Sequence, residues 1–90
     1  MNKQDLISTV ATKTGMSKAA VMNITDSLIM TIEKSLKKGE EVQLVGFGTW
    51  KRKKRAARMG RNPKTGATIK ISARFVPSFS AGKKLKDAVQ

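Results

Sequence analysis

The segment from residue 51 to 74 sets the strongest limit on how this chain can fold, because it holds ten Lys or Arg and neither Asp nor Glu. Unpaired charges resist burial, so a compact core cannot accommodate it. Its centre is the turn-forming sequence GRNPKTG at residues 60–66. The segment must therefore project into water or lie along a polyanion, and its turn carries one rigid apolar ring, that of Pro63.

Charge is distributed unevenly along the 90 residues, whose formal net charge is +13. Residues 1–40 carry six bases and four acids, a net of +2. Residues 41–90 carry thirteen bases and two acids, a net of +11. Because an imbalance of this size informs about partners rather than about fold, we expect the second half of the chain to bind a polyanion.

The chain contains neither Cys nor His, and this limits the chemistry it can perform. Without Cys there is no disulfide and no thiolate, and without His the usual general base and the commonest metal ligand are missing. We therefore expect no enzyme, no metal site and no cofactor. No apolar run approaches the roughly 20 residues of a membrane span, and the first residues lack the order of a secretory signal. We expect a cytoplasmic protein with no membrane partner.

Two helices are predicted in the first half of the chain. Asn2 is a candidate N-cap, Asp5 suits the positive end of a helix, and Gly15 is placed to end it. Ser17 is a second candidate N-cap, and apolar residues then recur at spacings of three or four until Gly39, where the helix is expected to end. Because the second helix is apolar on more than one face, we expect a plain helical hairpin rather than a DNA-reading helix-turn-helix.

A first strand is predicted at residues 42–45, followed by the sequence GFG at 46–48. This is not a dinucleotide-binding fingerprint, because Lys51 stands where the third glycine would be. We expect the glycines to let the strand bend while Phe47 packs inward.

A long β-ribbon is predicted around the central turn. Residues 49–58 and 68–76 flank the turn, and the second run alternates in part between apolar and polar residues. Pro77 is expected to close that run. Ser80 is expected to cap a short last helix over residues 83–89.

The basic segment leaves little of the chain to form a core. Less than three quarters of the chain remains without residues 51–75, and a domain of about 60 residues buries only about 60% of its unfolded surface. The second helix nevertheless offers more apolar surface than the first can cover, and all the aromatic residues lie near the base of the ribbon. We therefore expect two copies to share one core across a two-fold axis, with the ribbons leaving it as a pair of arms.

Three blocks of sequence carry a resemblance to a known family. They are VQLVGFG at 42–48, the stretch from RAAR at 55–58 through GRNPKTG at 60–66, and GKKLKDAV at 82–89. On these blocks the whole chain resembles the bacterial histone-like HU proteins and the related integration host factor. Proteins of this kind insert apolar side chains between base steps and kink the duplex.

The resemblance implies an α+β fold with an N-terminal helical hairpin, a three-stranded antiparallel sheet with a long protruding β-ribbon arm, and a short C-terminal helix. It implies an intertwined homodimer, or a heterodimer with a paralogue. Residues 1–50 and 75–90 would form the dimerisation body of a single domain, and residues 51–74 the DNA-binding arm. The implied function is that of a nucleoid-associated protein. Such a protein bends, wraps and compacts double-stranded DNA through the minor groove, largely without sequence specificity and with a preference for nicked or distorted duplex.

The resemblance also implies roles for individual residues. Pro63 would wedge between base pairs, with Arg61 and Asn62 beside it in the minor groove. Other bases of the arm would flank the groove: Lys53, Arg55, Arg58, Lys64, Lys70 and Arg74. Lysines of the body would contact phosphates as bent DNA folds over its sides: Lys3, Lys18, Lys83 and Lys86. The dimer core would contain Leu28, Ile32, Leu44, Phe47, Trp50 and Phe79.

Other interpretations stay open from the sequence. A basic ribbon can also follow RNA, although this arm has no exposed aromatic residues to stack unpaired bases. A sequence-specific bender of the integration-host-factor type would show two different partner chains, or one preferred site that survives high salt. Pro63 could serve only to shape its turn, and Lys3 and Lys18 could be ordinary surface lysines. The arm lacks the acids that many relatives carry there, which implies stronger non-specific affinity.

Overall fold

The computed structural model describes every residue from Met1 to Gln90, in two compact units, Met1–Lys34 and Ser35–Gln90. The chain is α+β, which confirms the predicted fold class. Its helices are α1 (Lys3–Thr14), α2 (Lys18–Lys37) and α3 (Lys83–Ala88). Its strands are β1 (Val42–Leu44), β2 (Gly48–Arg55), β3 (Arg58–Arg61), β4 (Thr68–Ile71) and β5 (Arg74–Ala81).

The first two helices begin at the predicted caps. The side chain of Asn2 accepts a hydrogen bond from the N–H of Asp5 at 2.9 Å, and the Asp5 carboxylate accepts one in return from the Asn2 N–H at 3.2 Å. This reciprocal capping box satisfies two donors at the start of α1. Gly15 ends the helix with a φ of 72°. The Ser17 hydroxyl accepts from the N–H of Ala20 at 3.1 Å and caps α2.

The helical unit has a small core. Ile7 and Ala11 of α1 and Val21 of α2 are its buried residues. Ile24 and Leu28, which continue the apolar stripe of α2, stay more than half exposed, at 56% and 53%. Helix α2 therefore presents apolar surface that its own unit does not cover, as its sequence indicates. None of the helices is both long enough and apolar enough to cross a membrane.

Strands β1, β2 and β5 form a three-stranded antiparallel sheet with β2 in the middle. β1 ends at Leu44, one residue earlier than predicted, because the Phe47 N–H donates to the Leu44 carbonyl and turns the chain. The turn passes through Gly46, whose φ is 84°. At Gly48 a Cβ atom would lie 2.4 Å from the ring of Phe79, so only glycine fits beneath that ring.

The predicted ribbon forms from two antiparallel pairs, β2 with β5 and β3 with β4. The two pairs share one register. Arg55 lies opposite Arg74, and three residues closer to the turn on both sides Arg58 lies opposite Ile71. Residues 56–57 and 72–73 interrupt the pairing between them. The ribbon thus consists of two paired segments in the same register, one in the three-stranded sheet and one in a separate two-stranded sheet.

Two predictions about the end of the chain are wrong. Pro77 does not close its strand, because β5 continues to Ala81 with Pro77 opposite Arg52. β5 is an edge strand, where a residue without an N–H is tolerated. Ser80 does not cap α3, because it lies within β5. Gly82 is the N-cap, so α3 begins without a side-chain capping hydrogen bond.

Candidate nucleic-acid interface

The ribbon has two faces that can be assigned residue by residue. In an antiparallel pair, residues directly opposite each other share a face, and successive residues along a strand alternate between faces. One register extends from the pair Gly48–Ala81 to the pair Arg61–Thr68. Each paired side chain of the ribbon can therefore be assigned to one face or the other by its register.

One face of the ribbon, the cationic face, carries six bases and no acid. Its members are Lys51, Lys53, Arg55, Arg61, Lys70 and Arg74. Arg55 and Arg74 lie directly opposite each other, an arrangement that is unfavourable without a negative partner. None of the six takes part in a salt bridge, since the chain's one salt bridge joins Lys3 to Asp26. The six bases of this face carry uncompensated positive charge on both sides of the break in the ribbon.

The opposite face of the ribbon, the apolar face, is lined mainly by hydrophobic residues. They are Trp50, Ile69, Ile71, Phe75, Pro77 and Phe79. Trp50 and Phe79 are cross-strand partners whose ring centres are 4.7 Å apart. Phe47 joins them at 5.9 Å from Trp50 and 5.8 Å from Phe79, which are ordinary distances for packed aromatic rings.

The tip of the ribbon is a tight turn that is held by its own hydrogen bonds and is built like the first turn of a helix. The carbonyl of Asn62 accepts from the Gly66 N–H at 2.7 Å, and its side-chain Oδ1 accepts from the Lys64 N–H at 2.9 Å. Asn62 thus acts as an N-cap, and Pro63 takes the first position, where a missing N–H costs nothing. Gly66 leaves the turn with a φ of 71°. The result is a fixed tip on which the ring of Pro63 is exposed.

Two predicted arm bases lie off the cationic face. Lys64 belongs to the turn, and Arg58 lies by register on the apolar face, opposite Ile71. At the break in the ribbon, Arg58 lines a depression of about 200 Å³ together with Arg55 and Arg74. The side chain of Arg58 is therefore near the cationic face without belonging to it.

The predicted body lysines belong to two separate parts of the chain. In the helical unit, Lys3 is engaged by Asp26, and the two side chains are 52% and 46% exposed. Such a pair contributes about 0–1 kcal/mol, so it is easily exchanged for another partner. Lys18 is the exposed first residue of α2, while Lys83 and Lys86 are exposed on α3.

The predicted dimer-core residues are grouped in the same way. Phe47, Trp50 and Phe79 form one aromatic cluster in the sheet unit, and Leu44 lies on the same side of the sheet, opposite Gly48. Phe47 and Phe79 remain 47% and 43% exposed within the single chain. In the helical unit, Leu28 is exposed and Ile32 is half-buried. Each unit therefore carries large apolar side chains that one chain leaves uncovered.

Three bases of the arm are not among the predicted contacts: Lys51, Arg52 and Lys54. Lys51 lies on the cationic face with Lys53 and Arg55, and strand alternation is the signal that could have found it. Arg52 points the other way, and its guanidinium lies 3.8 Å from the ring centre of Phe75. The structure contains no group of three or more His, Cys, Asp or Glu side chains that could hold a metal ion.

Comparison with known proteins gives one consistent family. The family model described as "Bacterial DNA-binding protein" matches residues 1–90. The DNA-binding protein HU of Lactococcus lactis is 54% identical over 89 residues, which cover 99% of this chain and 98% of the relative. HU-beta of Escherichia coli is 55% identical over 89 residues, which cover 99% of both chains.

Solved structures give the same result for the fold. The HU chain of an Anabaena HU–DNA cocrystal structure superposes with a TM-score of 0.94 at 40% identity, covering 99% of this chain and 97% of that one. HU from Thermotoga maritima superposes with a TM-score of 0.71 at 36% identity, covering 100% of both chains. The similarity to each extends over nearly the whole length.

Proposed function

The chain belongs to the family of bacterial DNA-binding proteins that includes the HU proteins, and from this membership we propose that it binds, bends and compacts double-stranded DNA. The observation that carries the proposal is the cationic face, a strip of six uncompensated bases that leads to an exposed proline. A duplex supplies the matching partner, because its phosphates form a regular line of negative charge.

Affinity would come mainly from neutralised phosphates and the release of their counterions. On B-DNA the logarithm of the binding constant falls with the logarithm of salt concentration at a slope of about −0.9 per phosphate contacted. The charge on the cationic face has no competing acid within the arm, so all of it is available for this exchange. Binding would therefore be strong at low salt and would weaken steeply as salt rises.

Binding would be largely independent of sequence and directed to the minor groove. Arginines such as Arg61 suit that narrow, negative cleft because the guanidinium group is weakly hydrated. A contact from Asn62 would carry little sequence information, because the minor groove offers the same acceptors at A·T and T·A pairs. Lysine and arginine contacts to phosphates position a duplex without reading it.

Pro63 would act as the bending wedge. Its ring is exposed at the end of a turn that internal hydrogen bonds already hold, so insertion between base pairs requires no rearrangement of the tip. Unstacking a base step costs on the order of a few kcal/mol, offset by new contacts along the bent duplex. A nicked or mismatched duplex is already partly unstacked and would bind better than an intact one.

The protein would work as a dimer, formed by two copies of this chain or with a close paralogue. The chain on its own buries only Ile7, Ala11 and Val21 as a hydrophobic core, and a domain of this size needs more. Residues 1–50 and 75–90 would form the shared body, with Leu28, Ile32 and the aromatic cluster at its centre. Residues 51–74 of each copy would form an arm.

The body would add phosphate contacts outside the arms. Lys18, Lys83 and Lys86 are exposed and unpaired within the chain, and Lys3 could exchange Asp26 for a phosphate at little cost. DNA that is bent by the arms would reach these lysines along its flanks. A protein of this kind would be associated with the nucleoid in the cytoplasm.

The proposal is tested by titrating intact and nicked duplexes of equal length across a salt series, with energy transfer between labelled ends as the measure of bending. We expect nicked DNA to bind more tightly, and Pro63→Ala to bend it less while keeping most of the affinity for intact duplex. Thr65→Ser is the matched control, since it removes a methyl group from the same turn and keeps both the ring and the hydroxyl that accepts from the Ala67 N–H.

Three outcomes would count against the proposal. Equal bending by Pro63→Ala and the parent would refute the wedge. Affinity that does not change with salt would refute the phosphate contacts. Preference for duplex RNA over duplex DNA in direct competition, or one DNA site that survives high salt, would replace non-specific DNA binding by one of the alternative functions.

A further inference from the structure

Arg52 is the one base of the arm segment that contacts a helix end. Its Nη1 donates a hydrogen bond to the main-chain carbonyl of Lys37, the last residue of α2, at 3.0 Å. The same guanidinium lies over the ring of Phe75, 3.8 Å from its centre. Arg52 and Lys51 are half-buried, whereas Lys53 and the bases that follow are exposed. The hydrogen bond to Lys37 and the contact with the Phe75 ring distinguish Arg52 from the bases on the cationic face.

The carbonyl of Lys37 has no main-chain partner and is free to accept from Arg52. The last carbonyls of a helix have no partner within it, and the chain after α2 satisfies two of them. The N–H of Glu40 bonds to Ser35 at 2.9 Å, and the N–H of Gly39 bonds to Leu36 at 3.0 Å. The next carbonyl, that of Lys37, is the one Arg52 takes. A cation also suits the negative end of the helix dipole.

The absence of a side chain at Gly39 leaves room for the guanidinium of Arg52. A Cβ atom at Gly39 would lie 3.1 Å from Nη2 of Arg52, and the φ of 88° at Gly39 already favours glycine. On the other side, Phe75 belongs to β5 and lies opposite Lys54. Arg52 thus joins the end of α2, β2 and β5 at the point where the ribbon leaves the three-stranded sheet.

We propose that Arg52 is a positioning residue that clamps the root of the arm, and that it makes no contact with DNA phosphates. The clamp would limit the directions in which the ribbon leaves the sheet, so less ordering would be needed when the arm closes on a duplex. This role rests on the proposed DNA-binding function. It also separates Arg52 from the nine other bases of residues 51–74, although the sequence presents them as one run.

The clamp is first tested on the protein without DNA, by amide hydrogen exchange. Arg52→Leu keeps an apolar stem and removes both contacts. We expect the amides of residues 53–55 and 75–76 to exchange about tenfold faster, because a charge-assisted hydrogen bond and a cation–π contact are lost together. Phe75→Leu should produce a smaller change in the same amides. Lys54→Leu is the matched control, with the same loss of charge on the same face, and should leave them unchanged.

Binding then separates a clamp from a phosphate contact. For Arg52→Leu we expect the salt slope of the parent, weaker binding to nicked duplex, and a broader spread of energy-transfer values in the bound state. Arg52→Lys should restore little of this, because a lysine ammonium neither stacks as a guanidinium does nor keeps its planar donor geometry. Lys53→Leu, on the cationic face, should instead reduce the slope by about 0.9.

The proposal is overturned if Arg52→Leu reduces the salt slope as Lys53→Leu does, or if Arg52→Lys behaves as the parent. Unchanged hydrogen exchange in Arg52→Leu would also overturn it. Thermal unfolding at one protein concentration shows whether each variant is folded. If the parent binds no duplex at all, the proposed function fails, while the exchange rates still decide whether Arg52 holds the ribbon root.

Discussion

The two faces of the ribbon come from the same strands and from nearly the same run of basic residues, yet they differ in chemistry. The cationic face presents six bases with no acid and no salt bridge. The apolar face packs Trp50 against Phe79 and holds the guanidinium of Arg52 over Phe75. Strand alternation alone separates the two, because neighbouring residues point to opposite sides.

The difference shows that the face on which a basic residue lies decides whether its charge has a partner inside the chain. Arg52 is held by a carbonyl and a ring inside the chain, so its charge supports the folded state. Lys53, the next residue, has no internal partner and keeps its charge for an external one. Composition gives the net charge of the arm. The strand register is needed to tell which bases have partners inside the chain and which remain free for an external partner.

The largest effect is expected from Trp50→Ala on the apolar face. Truncating a packed tryptophan costs about 3–5 kcal/mol, and Trp50 packs against both Phe47 and Phe79. We expect a large fall in melting temperature and loss of the dimer in sedimentation. Lys51→Ala is the control, one residue further along on the cationic face, and should melt like the parent. Similar melting temperatures for the two variants would contradict the claim that only the apolar face stabilises the fold.

A smaller loss is expected from Gly48→Ala at the sheet end of the same face. The added methyl group would lie 2.4 Å from the Phe79 ring and 2.8 Å from the Ser80 carbonyl oxygen, and backbone cannot move aside easily. Overpacking of this kind costs about 1–3 kcal/mol. Gly60→Ala sharpens the result, because its nearest neighbour is the end of the flexible Ile71 side chain, at 2.8 Å. Chemical denaturation should rank Gly48→Ala well below Gly60→Ala in stability.

Much of the fold could be predicted from local sequence signals. Asn2, Ser17 and Gly15 mark helix boundaries through hydrogen bonds to residues a few positions away, and the structure confirms each of them. Pro77 and Ser80 were predicted wrongly because their outcome depends on a distant partner. Pairing with β2 carries β5 past Pro77 and includes Ser80, and no local signal reports that pairing.

The candidate site was predictable to a similar extent. The basic run and its GRNPKTG turn indicate where a polyanion would bind, and five of the predicted arm bases share the cationic face: Lys53, Arg55, Arg61, Lys70 and Arg74. The internal roles of Arg52 and of the Asn62 side chain were not predictable. They depend on the carbonyl at the end of α2 and on the closure of the turn, which exist only after folding.

Neighbouring lysines test the cationic face directly. Lys53→Ala should remove one phosphate contact, which reduces the salt slope by about 0.9 and weakens binding about eightfold near 0.1 M salt. Lys54→Ala removes the same charge from the apolar face and should change the slope little. Both are measured by titration of intact duplex across a salt series. Equal salt slopes for the two variants would show that lysines on the two faces contribute equally to phosphate binding.

The smallest effect is expected from Arg58→Ala, which tests whether the faces continue past the break in the ribbon. Arg61, on the cationic face, should behave as a full phosphate or groove contact, so Arg61→Ala should weaken binding to all sequences alike, about eightfold near 0.1 M salt. Arg58 lies by register on the other face, and its side chain lines the depression at the break with Arg55 and Arg74. Its removal should therefore weaken binding less than that of Arg61. An equal loss for both arginines would mean that the ribbon twists at residues 56–57 and 72–73 until both face the duplex.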